Sequence, residues 1–284
     1  MSVEVYDDRA CLLGEGPLWH PGLGQLFWFD IHGQRLLTRD ADGAQGQWDF
    51  DRAVSAAGWV DDTHLLVATE TDLTLFDLAS GGQERVADLE PDNIATRSND
   101  GRADPQGGFW IGTMGHNAEK GAGALYRFYR GQLRRIRGAV TIPNATCFAP
   151  DGRRAYFADT AEHLVLTYDL DPDGWPEGEP RIFLDHRERE VNPDGAVVDA
   201  DGRFWCAEWG ASRVACYSPE GNLLEEIILP VPQPTCPAFG PDGLYVTTAQ
   251  KGAPDAPADP APLSGQTLRV SVSAKGQAEH RVIL

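Results

Sequence analysis

Six related segments follow one another along this chain, each starting about 42 to 49 residues after the last. Each opens with a short apolar run, passes through a turn rich in Asp, Pro and Gly, and continues in a run of aromatic and β-branched residues. The segments begin near Gly16, Gly58, Gly101, Thr146, Gly195 and Pro237. A repeat of this length, built from short strands, is typical of the blades of a β-propeller.

The second run of each segment is too short for a core helix and is expected to be a central strand. These runs lie at residues 26–29, 65–68, 109–112, 155–158, 204–207 and 244–247. A third run with alternating polarity follows in most segments, as at residues 165–169. We therefore predict an all-β fold, a six-bladed β-propeller that occupies residues 1–284 as one domain.

A propeller ring must be closed between its first and last blades, because open blades leave unpaired strand edges. Residues 2–6 and 280–284 are both short β-type runs. We predict that these N- and C-terminal strands close the ring by sharing the last blade. Residues 252–265, rich in Ala and Pro, are predicted to form a surface loop, because proline cannot donate to a strand ladder.

The chain is strongly acidic, with a net charge of −19. A field of this sign repels nucleic acid and anionic membranes, so neither is expected as a partner. The first residues lack the features of a signal peptide, and no apolar run approaches the roughly 18 residues that span a bilayer. Five cysteines without C-x-x-C spacing argue against disulfides and thiolate zinc sites, so a cytoplasmic protein is predicted, a monomer or weak homodimer.

Four segments are entered through a polar residue, just before the expected innermost strand. These residues are Glu15, Asn99, Asn144 and Asp194. Innermost strands line the central channel of a propeller, so we expect the four side chains to converge on one face near the axis. Segments two and six carry uncharged residues there, at 56–57 and 235–236.

Each of these residues also has a simpler interpretation. Asp194 could form one more hairpin turn, although its segment already has such a turn at residues 201–202. Glu15 could be a solvated loop carboxylate, and Asn99 and Asn144 could be turn residues. Their common position at the blade entries is what favours a shared site.

Two carboxylates and one or two amide oxygens form an oxygen ligand set. Such a set suits one divalent ion, Ca²⁺, Mg²⁺ or Mn²⁺, with Zn²⁺ or Fe²⁺ also open. Without a cation, the Glu15 and Asp194 carboxylates would repel each other.

Five motifs resemble the senescence-marker-protein/gluconolactonase family, also called regucalcin-like. They lie, in the family's order, at residues 13–19, 97–101, 112–114, 142–144 and 192–195. The resemblance implies a six-bladed propeller that hydrolyses sugar lactones. It implies metal ligation by Glu15, Asn144 and Asp194, with Asp194 also the catalytic base. It implies substrate contacts from Arg97 and Asn99.

The chain departs from the family pattern shortly after Gly-Thr-Met, where Asn117 stands at a position that is often Glu. We expect Asn117 to contact substrate from a lid loop, with His116 beside it as a lid or surface residue. Two other functions fit the repeats: a non-catalytic calcium-binding propeller, and a metal-dependent hydrolase of aryl esters or phosphotriesters.

Overall fold

The computed structural model describes residues 2–250 and 262–284. Within these ranges the chain forms six four-stranded antiparallel sheets in a propeller arrangement, so the all-β six-bladed fold is confirmed. Blade 1 contains β2 (Gly14–His20), β3 (Gln25–Asp30), β4 (Arg35–Arg39) and β5 (Gln45–Asp49). Blade 2 contains β6 (Val54–Asp61), β7 (His64–Thr69), β8 (Asp72–Asp77) and β9 (Gln83–Asp88). Blade 3 contains β10 (Thr96–Ala103), β11 (Phe109–Gly115), β12 (Gly123–Tyr129) and β13 (Gln132–Val140).

The second half of the chain repeats this order. Blade 4 contains β14 (Pro143–Phe148), β15 (Arg154–Asp159), β16 (Leu164–Leu170) and β17 (Pro176–Asp185), with a short 3₁₀ turn at Thr160–Glu162. Blade 5 contains β18 (Asn192–Val198), β19 (Phe204–Trp209), β20 (Arg213–Tyr217) and β21 (Leu223–Ile228). Blade 6 contains β22 (Pro234–Gly240), β23 (Gly243–Thr248), β24 (Thr267–Val270) and the N-terminal β1 (Val3–Asp7).

The first strand of each blade is the innermost, and the six inner strands form a closed ring. Strands β2, β6, β10, β14, β18 and β22 contact one another in this order, and β22 contacts β2 again. The entry to every inner strand therefore lies at the same end of the central channel.

The second strand of each blade is buried on both faces, because neighbouring blades pack against each side. Residues Leu26, Phe27, Trp28 and Phe29 of β3 are all at most 1% exposed. Burial of one such side chain contributes about 1.5–3 kcal/mol of stability. This explains why these runs are continuously apolar rather than alternating.

The ring closes through the N-terminal strand, as predicted, but the last residues lie elsewhere. Strand β1 pairs with β24, with Val3 opposite Val270. Residues 280–284 do not share the last blade, because β1 already occupies its outer edge. Instead Arg281 forms a bridge with Trp59 of blade 2. Of the predicted loop at 252–265, residues 252–261 lie outside the described residues, and the segment just after them forms a turn.

Every inner strand carries an irregularity near its entry, where the pairing with the second strand shifts register. The shifts fall between Glu15 and Leu18, Val54 and Ala56, Ser98 and Gly101, Asn144 and Cys147, Pro193 and Ala196, and Pro234 and Cys236. A bulge bends the strand and redirects side chains that would otherwise face the neighbouring blade. The four polar residues singled out in the sequence all lie at such shifts.

Candidate active site

A cavity of about 220 Å³ lies on the channel axis at the entry end of the inner strands. Its polar lining comes from Glu15, His32, Arg97, Asn99, Asn144, Thr160 and Asp194. Its apolar lining comes from Leu13, Met114, Ala118, Ile142 and Trp209. A small cavity lined by both polar and apolar side chains is suited to a single small polar ring.

Local backbone geometry places two of the acidic and amide side chains. Gly16, which follows Glu15, has a φ of 54°, and Ala145, which follows Asn144, has a φ of 56°. A Cβ on Gly16 would lie 2.4 Å from the Ser55 carbonyl oxygen, so glycine is required there. Left-handed backbone is strained for alanine, which indicates that the surrounding structure imposes the bulge.

Asn99 joins the two sides of the cavity. Its Nδ2 donates to Asn144 Oδ1 at 3.0 Å and to the Pro143 carbonyl at 2.9 Å. Its Oδ1 accepts a hydrogen bond from Arg97 Nη1 at 2.9 Å. Both ends of the Asn99 amide are therefore fixed, and the Arg97 guanidinium is held in the cavity wall.

A second set of hydrogen bonds fixes Asn144. Its Nδ2 donates to Thr160 Oγ1 at 2.8 Å, and Thr160 Oγ1 donates in turn to the Pro193 carbonyl at 2.6 Å. The Asn144 Oδ1 atom is thereby turned towards Asn99 and the cavity. Thr160 also links blade 4 to Pro193, the residue immediately before Asp194.

Three buried carboxylates lie around the axis. Burial, and then the charge of Asp100, raise the pKa of Glu15 to about 8, although the Gly16 N–H and the Arg97 charge oppose the shift. Burial, and then the charges of Glu15 and Asp100, raise the pKa of Asp194 well above its ordinary value. Burial also raises the pKa of Asp100, against a hydrogen bond from the Thr146 N–H at 2.7 Å. The protein alone therefore leaves negative charge poorly compensated here.

Arg97 lines the cavity, and its charge acts on Glu15. Burial lowers its pKa to about 10, although Glu15 and Glu70 oppose the shift. The guanidinium therefore stays charged at neutral pH. Its Nε has no hydrogen-bond partner among the described residues.

These residues fit a divalent cation by the chemistry of their donor atoms. Glu15 and Asp194 offer carboxylate oxygens with unfavourable mutual repulsion, and Asn144 offers an oriented amide oxygen. Within the described ranges, no three His, Cys, Asp or Glu side chains form a metal-binding group, so an amide ligand would be needed. Oxygen donors of this kind are preferred by hard cations.

The predicted site residues differ in how closely the structure groups them. Glu15, Arg97, Asn99, Asn144 and Asp194 all line the cavity.

Asn117 lies apart from that group. It is exposed, and its Nδ2 donates to Glu119 Oε1 at 3.0 Å, while the adjacent Ala118 lines the cavity. Ala118 has a φ of 57°, so the turn directs its own side chain inwards. His116 Nε2 lies 3.1 Å from Glu70 Oε1 at the surface.

Sequence reasoning missed several cavity residues. Thr160 follows the second strand of blade 4, and Trp209 ends the second strand of blade 5. In an antiparallel blade, the end of the second strand lies beside the start of the inner strand, so these positions could have been inferred from the repeat. Leu13, Met114 and Ile142 lie within the motifs at residues 13–19, 112–114 and 142–144, whereas His32 carries no such signal.

Three larger grooves, two of about 490 Å³ and one of about 680 Å³, lie elsewhere on the described residues. The first runs beside Arg134 and Tyr168, the second beside Arg39 and Arg269, and the third beside Lys120 and Glu162. None of them brings buried carboxylates and amides together as the axial cavity does. The axial cavity is therefore the better candidate for a reaction.

A six-bladed propeller with carboxylates and amides converging at its axis defines a class of proteins that use the channel mouth as a binding site. The family described as SMP-30/Gluconolactonase/LRE-like region matches residues 13–250. The chain belongs to this family, which confirms the resemblance noted from its motifs.

Individual relatives cover nearly the whole chain. An L-arabinolactonase of Azospirillum brasilense is 35% identical over 282 residues, covering 96% of this chain and 93% of the relative. A 6-deoxy-6-sulfogluconolactonase of Pseudomonas putida is 33% identical over 278 residues, covering 95% of each chain. The crystal structure of a calcium-binding protein, regucalcin, from Agrobacterium tumefaciens has a TM-score of 0.96 and 37% identity, covering 100% of this chain and 98% of that one. In the part of this chain described here, no helix is long and apolar enough to cross a membrane.

Proposed function

We propose that this protein is an enzyme that hydrolyses a sugar lactone, an aldono-1,4- or 1,5-lactone, to the corresponding aldonic acid. The observation that carries the proposal is the convergence of Glu15, Asn144 and Asp194 with Arg97 and Asn99 in one cavity. The names of the lactonase relatives support it.

The reaction defines what the site must do. A water oxygen bonds to the lactone carbonyl carbon, and the bond from that carbon to the ring oxygen breaks. One proton leaves the water, and one proton reaches the ring oxygen, which becomes a hydroxyl. The site must therefore accept and return a proton and stabilise negative charge on the carbonyl oxygen.

We propose that one divalent ion is held by Glu15, Asn144 and Asp194. Ca²⁺, Zn²⁺, Mn²⁺, Mg²⁺ and Fe²⁺ are the candidates. When bound, such an ion supplies Lewis-acid polarisation and makes water more acidic. Its positive charge would also offset the repulsion that raises the pKa of Asp194.

Asp194 is proposed as the general base as well as a ligand. Its carboxylate would take the proton from the attacking water and return it to the ring oxygen, so atoms and charge balance over the cycle. The bulge between Pro193 and Ala196 places this side chain in the cavity.

Arg97 and Asn99 are proposed to bind the substrate. Arg97 is already held by Asn99, so both can donate to ring hydroxyls or the carbonyl with little loss of freedom. Asn117 is proposed to reach the substrate from the lid. That role requires a change from the geometry described here, in which Asn117 binds Glu119.

The proposed setting is the cytoplasm, as a monomer or weak homodimer. All five cysteines are buried and free, which supports a reducing compartment.

The test is a panel of pentono- and hexonolactones assayed by proton release, after chelation and with each metal added singly. We expect hydrolysis of at least one lactone that depends on added metal. Binding of metal without hydrolysis of any lactone would contradict the enzymatic proposal. It would instead favour a non-catalytic calcium-binding propeller, a candidate supported by the name of the regucalcin structure.

A further inference from the structure

The far end of the channel is covered by the C-terminal residues 275–283, here called the tail segment. Gln277 Nε2 donates to the Phe148 carbonyl of blade 4 at 3.0 Å. The Ile283 N–H donates to the Gly107 carbonyl of blade 3 at 2.8 Å. Trp59 Nε1 of blade 2 donates to the Glu279 carbonyl at 2.9 Å. These contacts are near the ends of the inner strands, opposite the cavity.

Glu279 of the tail segment forms a buried ion pair inside this end of the channel. Arg102 Nη1 donates to Glu279 Oε1 at 2.8 Å and to Oε2 at 3.0 Å. The two side chains are 9% and 13% exposed. Arg102 Nε has no hydrogen-bond partner among the residues described. The Glu279 carboxylate is therefore the main group that offsets the buried Arg102 charge.

Arg102 belongs to the same strand that supplies the cavity. Strand β10 carries Arg97 and Asn99 at the cavity, and Asp100 and Arg102 further along. A strand advances roughly 3.3 Å per residue, so about 10 Å separates Asn99 from Arg102 along β10. Asp100 lies between the cavity carboxylates and Arg102, and its charge acts on Glu15.

Charged groups therefore follow one another along the channel. Carboxylates surround the cavity, Asp100 follows, then Arg102, and then Glu279 at the far end. Burial raises the pKa of Asp100, and the Arg102 charge opposes that shift, so the two groups interact. Screening by salt is weak for such buried groups, and their effects extend over longer distances than at the surface.

We propose that Glu279 is a positioning residue for the cation site: by neutralising Arg102, it prevents that guanidinium from opposing a divalent cation at the cavity. The inference rests on the cation site of the proposed function. Loss of the Glu279 charge leaves the Arg102 repulsion of the cation without its opposing attraction, so cation binding weakens. By linkage, a bound cation must favour the docked tail segment by the same factor.

The experiment measures cation binding directly, by calorimetric titration of the full chain with Ca²⁺ and with Mn²⁺. We expect Glu279→Gln to weaken binding about 3- to 10-fold. Glu279→Asp, which keeps the charge, should retain most of the affinity. The double variant Arg102→Met with Glu279→Gln removes both charges and should recover affinity towards the unmodified protein. Glu4→Gln, which breaks a surface pair with Arg269, is the matched control and should have no effect.

Three outcomes would overturn the inference. Unchanged affinity in Glu279→Gln would overturn it while leaving the cation site intact. Affinity lost equally in the single and double variants would show that only packing of the tail segment matters. No cation binding by the unmodified protein would overturn both the inference and the proposed site.

The coupling between cation binding and docking of the tail segment can also be measured in the unmodified protein. Added cation should slow hydrogen exchange at the Val282 and Ile283 amides, which donate to the Trp59 and Gly107 carbonyls. Unchanged exchange at saturating cation would contradict the coupling.

Discussion

Asn99 Nδ2 donates to Asn144 Oδ1 at 3.0 Å, and this hydrogen bond joins the inner strands of blades 3 and 4 at the cavity. It makes the orientation of a proposed metal ligand depend on a proposed substrate-binding residue. The two roles are therefore expected to be coupled.

Substitution of Asn99 should disturb both roles. Asn99→Ala removes the contacts to Asn144 and Arg97, and we expect kcat/KM to fall about 10- to 100-fold through lost orientation. The fall in kcat/KM would be measured by steady-state kinetics on the lactone that the unmodified protein hydrolyses fastest, with metal affinity titrated in parallel. Asn222→Ala, at an exposed turn, is the control. A rise in KM alone, with unchanged metal affinity, would show that Asn99 contacts only substrate.

Asp194→Asn keeps an oxygen ligand but removes the proton acceptor. Turnover should fall about 10²- to 10⁴-fold, the range of general acid–base catalysis, while metal binding is only weakened. Proton release at saturating metal and calorimetry would separate the two effects. Asp201→Asn, at an exposed hairpin turn, should retain full activity. Near-normal turnover of Asp194→Asn would assign the base to another residue.

Glu15→Gln should chiefly weaken metal binding, by at least about tenfold. Excess metal should recover part of the activity, because the proton acceptor remains. Titration of a chelated sample with metal, followed by activity, provides the measurement. Glu84→Gln, on the exposed outer strand of blade 2, is the control. If no metal concentration restores activity, Glu15 has a role beyond ligation.

The charge of the cavity predicts a preference among substrates. Among the cavity residues described, Arg97 is the one with a fixed positive charge, and the protein carries a net charge of −19. We expect neutral aldonolactones to be preferred over 6-phosphogluconolactone by about tenfold or more in kcat/KM, equivalent to roughly 1.4 kcal/mol. Comparison of both lactones at low and high salt tests this. Equal efficiency would mean that further cations reach the substrate, as a lid movement could allow.

The fold itself offers a test of buried charge. Arg127 Nε donates to Asp104 Oδ2 at 2.6 Å, and both side chains are fully buried. Asp104→Asn leaves Arg127 uncompensated and should lower the free energy of unfolding by about 3–5 kcal/mol. Asp169→Asn breaks an exposed pair with Arg181 and should cost less than about 1 kcal/mol. Urea unfolding of both variants gives the comparison, and equal losses would contradict it.

The sequence was sufficient for the repeated elements, because each blade has the same local signals. Runs such as residues 26–29 are apolar throughout since both faces are buried, and this marks every central strand. Glu15, Asn99, Asn144 and Asp194 share one position in the repeat, at the blade entries. That shared position was enough to predict that they converge, and all four line one cavity.

Other features depend on contacts that no local pattern encodes. Residues 280–284 look like one more strand, yet blade 6 has no free edge for them once β1 is paired. Asn117 and Ala118 are adjacent, and only the left-handed turn at Ala118 determines which side chain enters the cavity. Asp100 was not among the residues singled out in the sequence, and it is buried at the bulge between Ser98 and Gly101.

The register shift at the entry of every blade has a practical consequence for redesign. Ser55 and Thr235 lie within the shifts of blades 2 and 6, and both are fully buried at the ring of inner strands. The bulged backbone that carries a proposed metal ligand in three blades thus recurs at two further positions. Carboxylates introduced at Ser55 and Thr235 would test whether this bulge alone is enough to bring a new donor to the proposed site, with no new loop.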